Sequence, residues 1–472
     1  LEAVREPDNL PNDPAYASVG SLPNRFSLLV DSEEDGRKFA RAADESLESA
    51  WLKVSDASWR HLTARHDPLK NRAHVWDRQI GNLWEKSWVV SEDPRALAGR
   101  KLIRVFEPSE EPGRKCTVCG RREELGGRDF WRALSTKLGT GFLDLLKERL
   151  CAVCLVKRTL PRVGNEAFGW KVLISSFPST PDLASDPWRR RVTAGDEYRE
   201  ARESLAAVAG NKPFDRLEGG YFYPSYHEEL VEDESLRTGL GRKLSALYKV
   251  AGVPHPTYAI LVMDGDKIGE RLSRLNEEGR AELSERILAF SLRVQDAVEN
   301  AGVASRLVYA GGEDVLALLP MDKALQAAWN VRGLYREVFG EFDQYHRARL
   351  DLPSTISAGL LYCPMTLPLR TATLEAHRLL DEDAKEAAGR DALAIGAWKG
   401  GGEVLRAARK WEHEDWVEKL LEMTGREGSP YPARFLYQAQ ELVREQAGLE
   451  GVGKLLALEY LGSREPKFKA QN

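Results

Sequence analysis

Between Thr257 and Trp398 the apolar residues switch repeatedly between a two-residue and a helical spacing, and this alternation constrains the fold more than anything else in the chain. "TYAILVMD" is a buried-type strand that ends in Asp264. Amphipathic spacing predicts a helix over roughly Lys267 to Asn300. "SRLVYAGGEDVLALLP", Ser305 to Pro320, then predicts two strands joined by a tight turn at Gly311, Gly312, Glu313 and Asp314. A helix is expected over "DKALQAAWNVRGLYREVFGEFDQYH", a strand at "STISAGLLYC", a helix at "TATLEAHRLLDEDAKEAAG" and a last strand at "DALAIGAW".

The order β-α-β-β-α-β is the ferredoxin-like split unit, here with one further αβ appended. In that topology the first strand is central and runs beside a strand of the hairpin. Asp264 at its end therefore approaches Glu313 and Asp314 at the turn. Three carboxylates with no local neutralising group call for a cation, and hard oxygen ligands suit Mg²⁺ or Mn²⁺. Gly311 and Gly312 would let a nucleotide approach the backbone. In "DGDKIGE", Gly265 and Gly269 bracket the turn into the helix, whose free N–H groups suit a triphosphate. The competing reading is a wet Gly-Gly hairpin, with Asp264 capping the next helix. Acids at both convergence points favour the site.

Outside this region, Cys116-x2-Cys119 and Cys151-x2-Cys154 stand 31 residues apart. Two such knuckles complete a closed tetrahedral zinc site, which serves folding rather than catalysis. The fifth cysteine, Cys363, ends an apolar strand and reads as a small buried hydrophobe. Few cysteines and no visible secretion signal predict a reducing cytoplasm. No apolar run approaches the roughly 20 residues that span a bilayer. At 472 residues the chain needs several cores. The net charge is −5, yet residues 110–162 hold 12 Lys/Arg against 7 Asp/Glu, and Arg189 to Arg191 add three more cations. Such a surface can hold RNA phosphates, although a solvated face is an equally simple reading. "NRFSLLV", "EKSWVVSED" and "RKLIRVF" predict strands in a small N-terminal α/β region. Residues 181–255 read as mostly helical, and everything after Gly400 as an all-α tail. His66-Asp67 lies in "RHDP" before a proline and lacks the partners of a metal-dependent nuclease site.

"MDGDKIGERL" followed by "YAGGEDVLALLP" resembles the palm domain of polymerases and nucleotidyl cyclases. More narrowly it is similar to the large subunit of type III CRISPR effector complexes, Cmr-type branch, whose hairpin usually reads Gly-Gly-Asp-Asp. "SLPNRF", "SSFPSTPDLA", "TISAGLLYC" and "LDEDAKEAAGRDALAI" extend the resemblance over about residues 20 to 400. It implies an α+β chain of two ferredoxin-like palms with a zinc-binding insert and helical domains. The expected division is a degenerate palm at 1–110, a zinc module at 111–180, a helical domain at 181–255, the catalytic-type palm at 256–400 and a helical domain at 401–472. The start at Leu1 fits a fragment, and an N-terminal HD nuclease domain was either removed or never present. The resemblance implies target-RNA-activated synthesis of cyclic oligoadenylates from ATP, or else a silent scaffold. Partners would be guide RNA, target RNA, RAMP-type backbone subunits and the small helical subunit, with no membrane. Asp264, Glu313 and Asp314 would hold Mg or Mn. Gly265, Asp266, Lys267, Gly269, Gly311 and Gly312 would line the nucleotide, with Lys385 and Arg390 on the triphosphate. Ordinary helix-surface charge is the alternative for those two cations. Glu313, in place of the usual aspartate, adds a methylene.

Overall fold

The computed structural model describes residues 28–93, 96, 111–138, 142–143, 148–169, 177–210, 212–300, 304–351, 353–399, 401–402 and 404–412. The chain divides into two compact units, Leu1–Phe177 with Gly269–Arg280, and Pro178–Ile268 with Ala281–Asn472.

The second unit is built on a six-stranded sheet. Its strands are β1 Thr257–Gly265, β2 Arg306–Gly311, β3 Asp314–Pro320, β4 Ile356–Pro364, β5 Ala392–Trp398 and β6 Val404–Lys410. They lie in the order β2-β3-β1-β4-β5-β6. The first four reproduce the split ferredoxin-like arrangement, with β1 central and antiparallel to both β3 and β4. Tyr258 to Met263 are all buried because both sheet faces are covered, which explains the unbroken apolar run. Side chains alternate between the faces. Tyr258, Ile260 and Val262 join a core with Leu183 and Trp188 of the helix Thr180–Ala194 and with Ala376, Leu380 and Ala384. On the other face, the helices Glu277–Glu299 and Ala324–Leu350 pack together through Phe290 and Tyr335, whose ring centroids are 5.0 Å apart.

Three elements around the sheet depart from expectation. The helix expected over 267–300 is two helices, Ile268–Arg274 and Glu277–Glu299. Asn276 separates them, its side-chain oxygen accepting the Gly279 N–H at 3.2 Å as an N-cap. The helix Leu369–Arg378 continues as a wider π-turn over Leu379–Ala387, where the Ala388 N–H reaches back to the Asp383 carbonyl at 2.9 Å. The all-α reading after Gly400 is corrected at β6, which pairs antiparallel with β5 from Trp398↔Val404 to Ala392↔Lys410. "VLRAARK" is made of good helix formers, but the turn after β5 lays it along an open sheet edge, and the buried Trp411 pins its end. Residues 413–472, the rest of the expected helical tail, lie outside the described residues.

Arg189 to Arg191, expected to add to a basic surface, are each held by a partner, although Arg191 stays exposed. Arg189 faces Asp182 and Asp186, Arg190 bonds Asp186 at 2.8 Å and Asp322 at 2.7 Å, and Arg191 donates to the Ala251 carbonyl at 2.6 Å. Helices fill most of the 181–255 stretch: Thr180–Ala194, Arg199–Val208 and Glu234–Ala251.

The described part of the first unit is helical: Glu33–Thr63, Ala73–Gly81, Arg128–Leu138 and Ala152–Phe168. "EKSWVVSED" forms no strand. It lies along the helix Glu33–Thr63, with Val90 against Gly36, Lys86 bonded to Glu48, and Trp84 edge-on to Trp51 at 6.3 Å. Val90 packs on the helix, while Trp88 and Val89 stay exposed, so no sheet face is built here. Leu28 to Val30 are likewise outside any strand, and the rest of "NRFSLLV" and all of "RKLIRVF" lie outside the described residues. Among the described residues, no helix is long and apolar enough to cross a membrane.

Candidate functional site

The β1–β3 register ends at Met263↔Val315, and the β2–β3 hairpin closes at Gly311↔Asp314. Asp264 and Asp314 are therefore neighbours at the end of the sheet, on the face that carries Ile260 and Val262, and their carboxyls are hydrogen-bonded. Burial and then the Asp264 carboxylate beside it push Asp314 up to about 7. The residue keeps an exposed side, so the carboxylate neighbour is the firmer of those two causes. Lys385, on the π-turn, reaches this pair with its Nζ 2.5 Å from Asp264 and 3.1 Å from Asp381. Burial works against the ammonium, but the two carboxylates outweigh it and raise its pKa. The two acids offer the hard oxygen donors that fit Mg²⁺ or Mn²⁺.

Glu313 stands apart from this pair. A Cβ on Gly265 would lie 2.8 Å from Cβ of Glu313 and 2.8 Å from the Tyr335 hydroxyl, so Glu313 packs over the Gly265 side of the turn. Among the described residues, the one group of three or more potential ligands with atoms within 4.8 Å of one another is the four cysteines. The three carboxylates are not gathered that tightly.

Those cysteines fit zinc. Sγ of Cys119 and Sγ of Cys151 are 3.8 Å apart, matching the edge of about 3.8 Å of a tetrahedron with Zn–S bonds near 2.3 Å. The backbone is folded for the purpose. The Gly120 N–H returns to the Cys116 carbonyl at 2.8 Å, and Cys151 caps the helix Ala152–Phe168, with Sγ accepting the Cys154 N–H at 3.4 Å. Gln79, fully buried, ties the two knuckles: it accepts the Ala152 N–H at 2.8 Å and donates to the Glu123 carbonyl at 2.9 Å. Cys363 is buried in the sheet core, as expected. His66 is buried with its ring 4.8 Å from Phe130, while Asp67 pairs with Lys70 on the surface, so among the described residues the dipeptide belongs to no cluster of potential metal ligands.

Residues 257–394 match the protein-family profile described as Cas10/Cmr2, second palm domain. A curated relative, the CRISPR system Cmr subunit Cmr2 of Pyrococcus furiosus, is 31% identical over 464 residues, covering 84% of this chain and 51% of that protein. The chain belongs to the Cas10/Cmr2 family. It spans about half the length of this curated relative. Among solved structures, the apo state of the type III-B Cmr-beta complex contains a chain that superposes with a TM-score of 0.58 at 12% identity, covering 93% of this chain and 65% of that one. That likeness is one of fold.

In this Cas10/Cmr2 palm the remaining predicted residues separate. Asp266, expected to line the nucleotide, is engaged inside the fold. It is buried, and its carboxylate accepts from Thr355 Oγ1, Ser357 Oγ and the Asp391 N–H. Its own N–H is spent on the Thr355 carbonyl at 2.8 Å, so that amide does not face a phosphate. Lys267 is exposed with φ +58°, and Gly269 is exposed in the helix after it. Gly312, at φ +71°, makes the two-residue hairpin turn. Gly311 is explained by a neighbour: a Cβ there would meet the Tyr309 hydroxyl at 1.8 Å. Tyr309 lies over the turn, and burial, then Asp314, then Glu313 raise its pKa. Sequence reasoning missed Tyr309. Its place two residues before Gly311, on the same strand face, was the available signal. Arg390 is not on a helix surface; it sits at φ +66° in the turn before β5.

Proposed function

We propose that this chain is the large subunit of an RNA-guided type III CRISPR effector complex, and that it makes cyclic oligoadenylates from ATP when target RNA is bound. The observation that carries the reading is the Asp264–Asp314 pair at the end of the palm, with Lys385 set against it at 2.5 Å. Asp264 and Asp314 would hold Mg²⁺ or Mn²⁺, with Glu313 at the edge of the seat. A bound divalent ion supplies a lowered hydroxyl pKa and charge neutralisation at the α-phosphate. The protein's own share is placement and charge. Lys385 brings a half-buried ammonium to the triphosphate, Arg390 adds a second cation, and Tyr309 covers the hairpin on the carboxylate side. The 3′-hydroxyl of one adenylate attacks the α-phosphate of the next ATP and pyrophosphate leaves, so no protein nucleophile is needed. The four cysteines hold structural zinc, and the exposed Arg114 and Arg121 beside the first knuckle suit RNA phosphates. Guide RNA, target RNA, RAMP-type subunits and the small helical subunit are the proposed partners.

A silent scaffold is the second reading, and the offset of Glu313 from the Asp264–Asp314 pair is what favours it. The purified complex, given ATP, Mg²⁺ or Mn²⁺ and target RNA, decides between them by mass spectrometry of the products. Oligoadenylate with either ion supports the enzyme. A complex that binds target RNA yet makes none with either ion is a scaffold.

A further inference from the structure

We propose that Asp266, the left-handed turn Gly389–Asp391 and Lys410 at the end of β6 form one positioning device that holds both Asp264 and Lys385 in place. The catalytic part of this inference rests on the proposed nucleotidyl transfer.

The device starts two residues after Asp264. Oδ1 of the buried Asp266 accepts from Ser357 Oγ at 2.8 Å, and Oδ2 accepts from Thr355 Oγ1 at 2.8 Å and from the Asp391 N–H at 2.9 Å. A buried carboxylate served by three donors fixes what it joins: here, the turn leaving β1, the start of β4 and the turn before β5. The third of these is unusual. Gly389, Arg390 and Asp391 are three successive residues at positive φ, +77°, +66° and +43°. Arg390 and Asp391 are strained there, and such a conformation persists only where its surroundings hold it.

The holding groups come from the end of β6. Lys410 Nζ donates to the carbonyls of Gly389 at 2.6 Å and Arg390 at 2.7 Å, and the Trp411 N–H donates to the Asp391 carbonyl at 2.9 Å. All three carbonyls of the strained run are thus tied to two consecutive residues. Trp411 is itself fully buried, its indole N–H bonded to the Ile356 carbonyl at 2.8 Å and its ring 5.3 Å from the Arg332 guanidinium. The strained turn also ends the π-turn, through the Arg390 N–H to the Ala384 carbonyl at 3.0 Å, and Lys385 follows Ala384. One arm of the device therefore reaches Asp264 through Asp266, and the other reaches Lys385 through the π-turn.

Lys410 and Asp266 are positioning residues, and the test is made on the full chain in its complex. Lys410→Met removes both carbonyl bonds and keeps the aliphatic stem, Lys410→Arg restores donors, and Arg409→Met on the same strand is the control. The expected result for Lys410→Met is roughly a tenfold loss in kcat with KM within about twofold and a melting temperature within about 2 °C of wild type. Lys410→Arg recovers part of the loss, and Arg409→Met matches wild type. Amide hydrogen exchange over residues 264–268 and 389–391 rises in Lys410→Met alone. Exchange and kcat both equal to wild type overturn the proposal, as does a lower melting temperature with unchanged kcat. If the wild-type complex makes no oligoadenylate, the catalytic reading fails. The exchange at 264–268 then decides the linkage on its own, raised upholding it and unchanged overturning it.

Discussion

Glu313 and Asp314 are adjacent in the chain but do different work. Asp314 is a strand residue facing Asp264, whereas Glu313 is a turn residue packed over Gly265. Replacing Glu313 by Asp withdraws its carboxylate by one methylene without touching the pair. The expected change in the proposed oligoadenylate synthesis is less than about tenfold, with a shifted Mg²⁺/Mn²⁺ preference, while Asp314→Asn costs at least about a hundredfold. Rates measured with each ion in the same complex check both values. The raised pKa of Asp314 sets a pH window. Between the ordinary carboxylate range near 4 and about 7, the folded metal-free site binds a proton that the unfolded chain does not. Stability of the metal-free protein from this group therefore falls as pH rises through that window. Mn²⁺ must displace the same proton, so its affinity should drop by about tenfold per unit as pH falls below 7. Mn²⁺ titrations at pH 6, 7 and 8 test this, and a flat profile would count against a shared proton.

Among the elements, β6 and the π-turn show where local pattern stops being informative. "VLRAARK" has helical propensity, but it meets an unpaired edge of β5, and a ladder of backbone hydrogen bonds outweighs propensity differences of a few tenths of a kcal/mol per residue. The π-turn has an ordinary helical sequence, and what distinguishes it is its seat on β4. A Cβ on Gly359 would meet the Ala376 carbonyl at 2.4 Å and the Leu380 nitrogen at 2.7 Å. Both contacts are backbone, so neither can turn aside. Gly359→Ala should therefore lower stability by about 1–3 kcal/mol and move Lys385 away from Asp264. Thermal unfolding and ATP affinity measured together test this, and a loss of stability alone would separate the seat of the π-turn from the site.

At the scale of the whole molecule, the cysteine knuckles belong to the helical unit and the carboxylates to the sheet unit. Each has its own core, one around Trp131 and Leu134, the other around Trp188 and Tyr258. Stripping the metal with a strong chelator should release one zinc per chain and unfold the first unit, because closed four-cysteine sites contribute directly to folding. The second unit should keep its unfolding transition. Elemental analysis and calorimetry check both, and a chain without zinc would remove the assignment.

The order of strands, the meeting of Asp264 with the hairpin and the four-cysteine cluster were readable from the chain alone, because each is written in short-range spacing. Period-two and helical patterns record which face of an element is buried, and in a split β-α-β-β-α-β unit that is enough to place β1 beside one strand of the hairpin, which the structure shows to be β3. The two Cys-x2-Cys pairs carry their geometry in four residues each. Tertiary structure alone decided that β6 closes the sheet edge, that Arg189 and Arg190 are paired with Asp182, Asp186 and Asp322, that Asp266 is an anchor and that Tyr309 fills the space above Gly311. Each of these depends on a partner distant in the chain or on the direction of a single side chain. Periodicity averages over such detail, and packing resolves it.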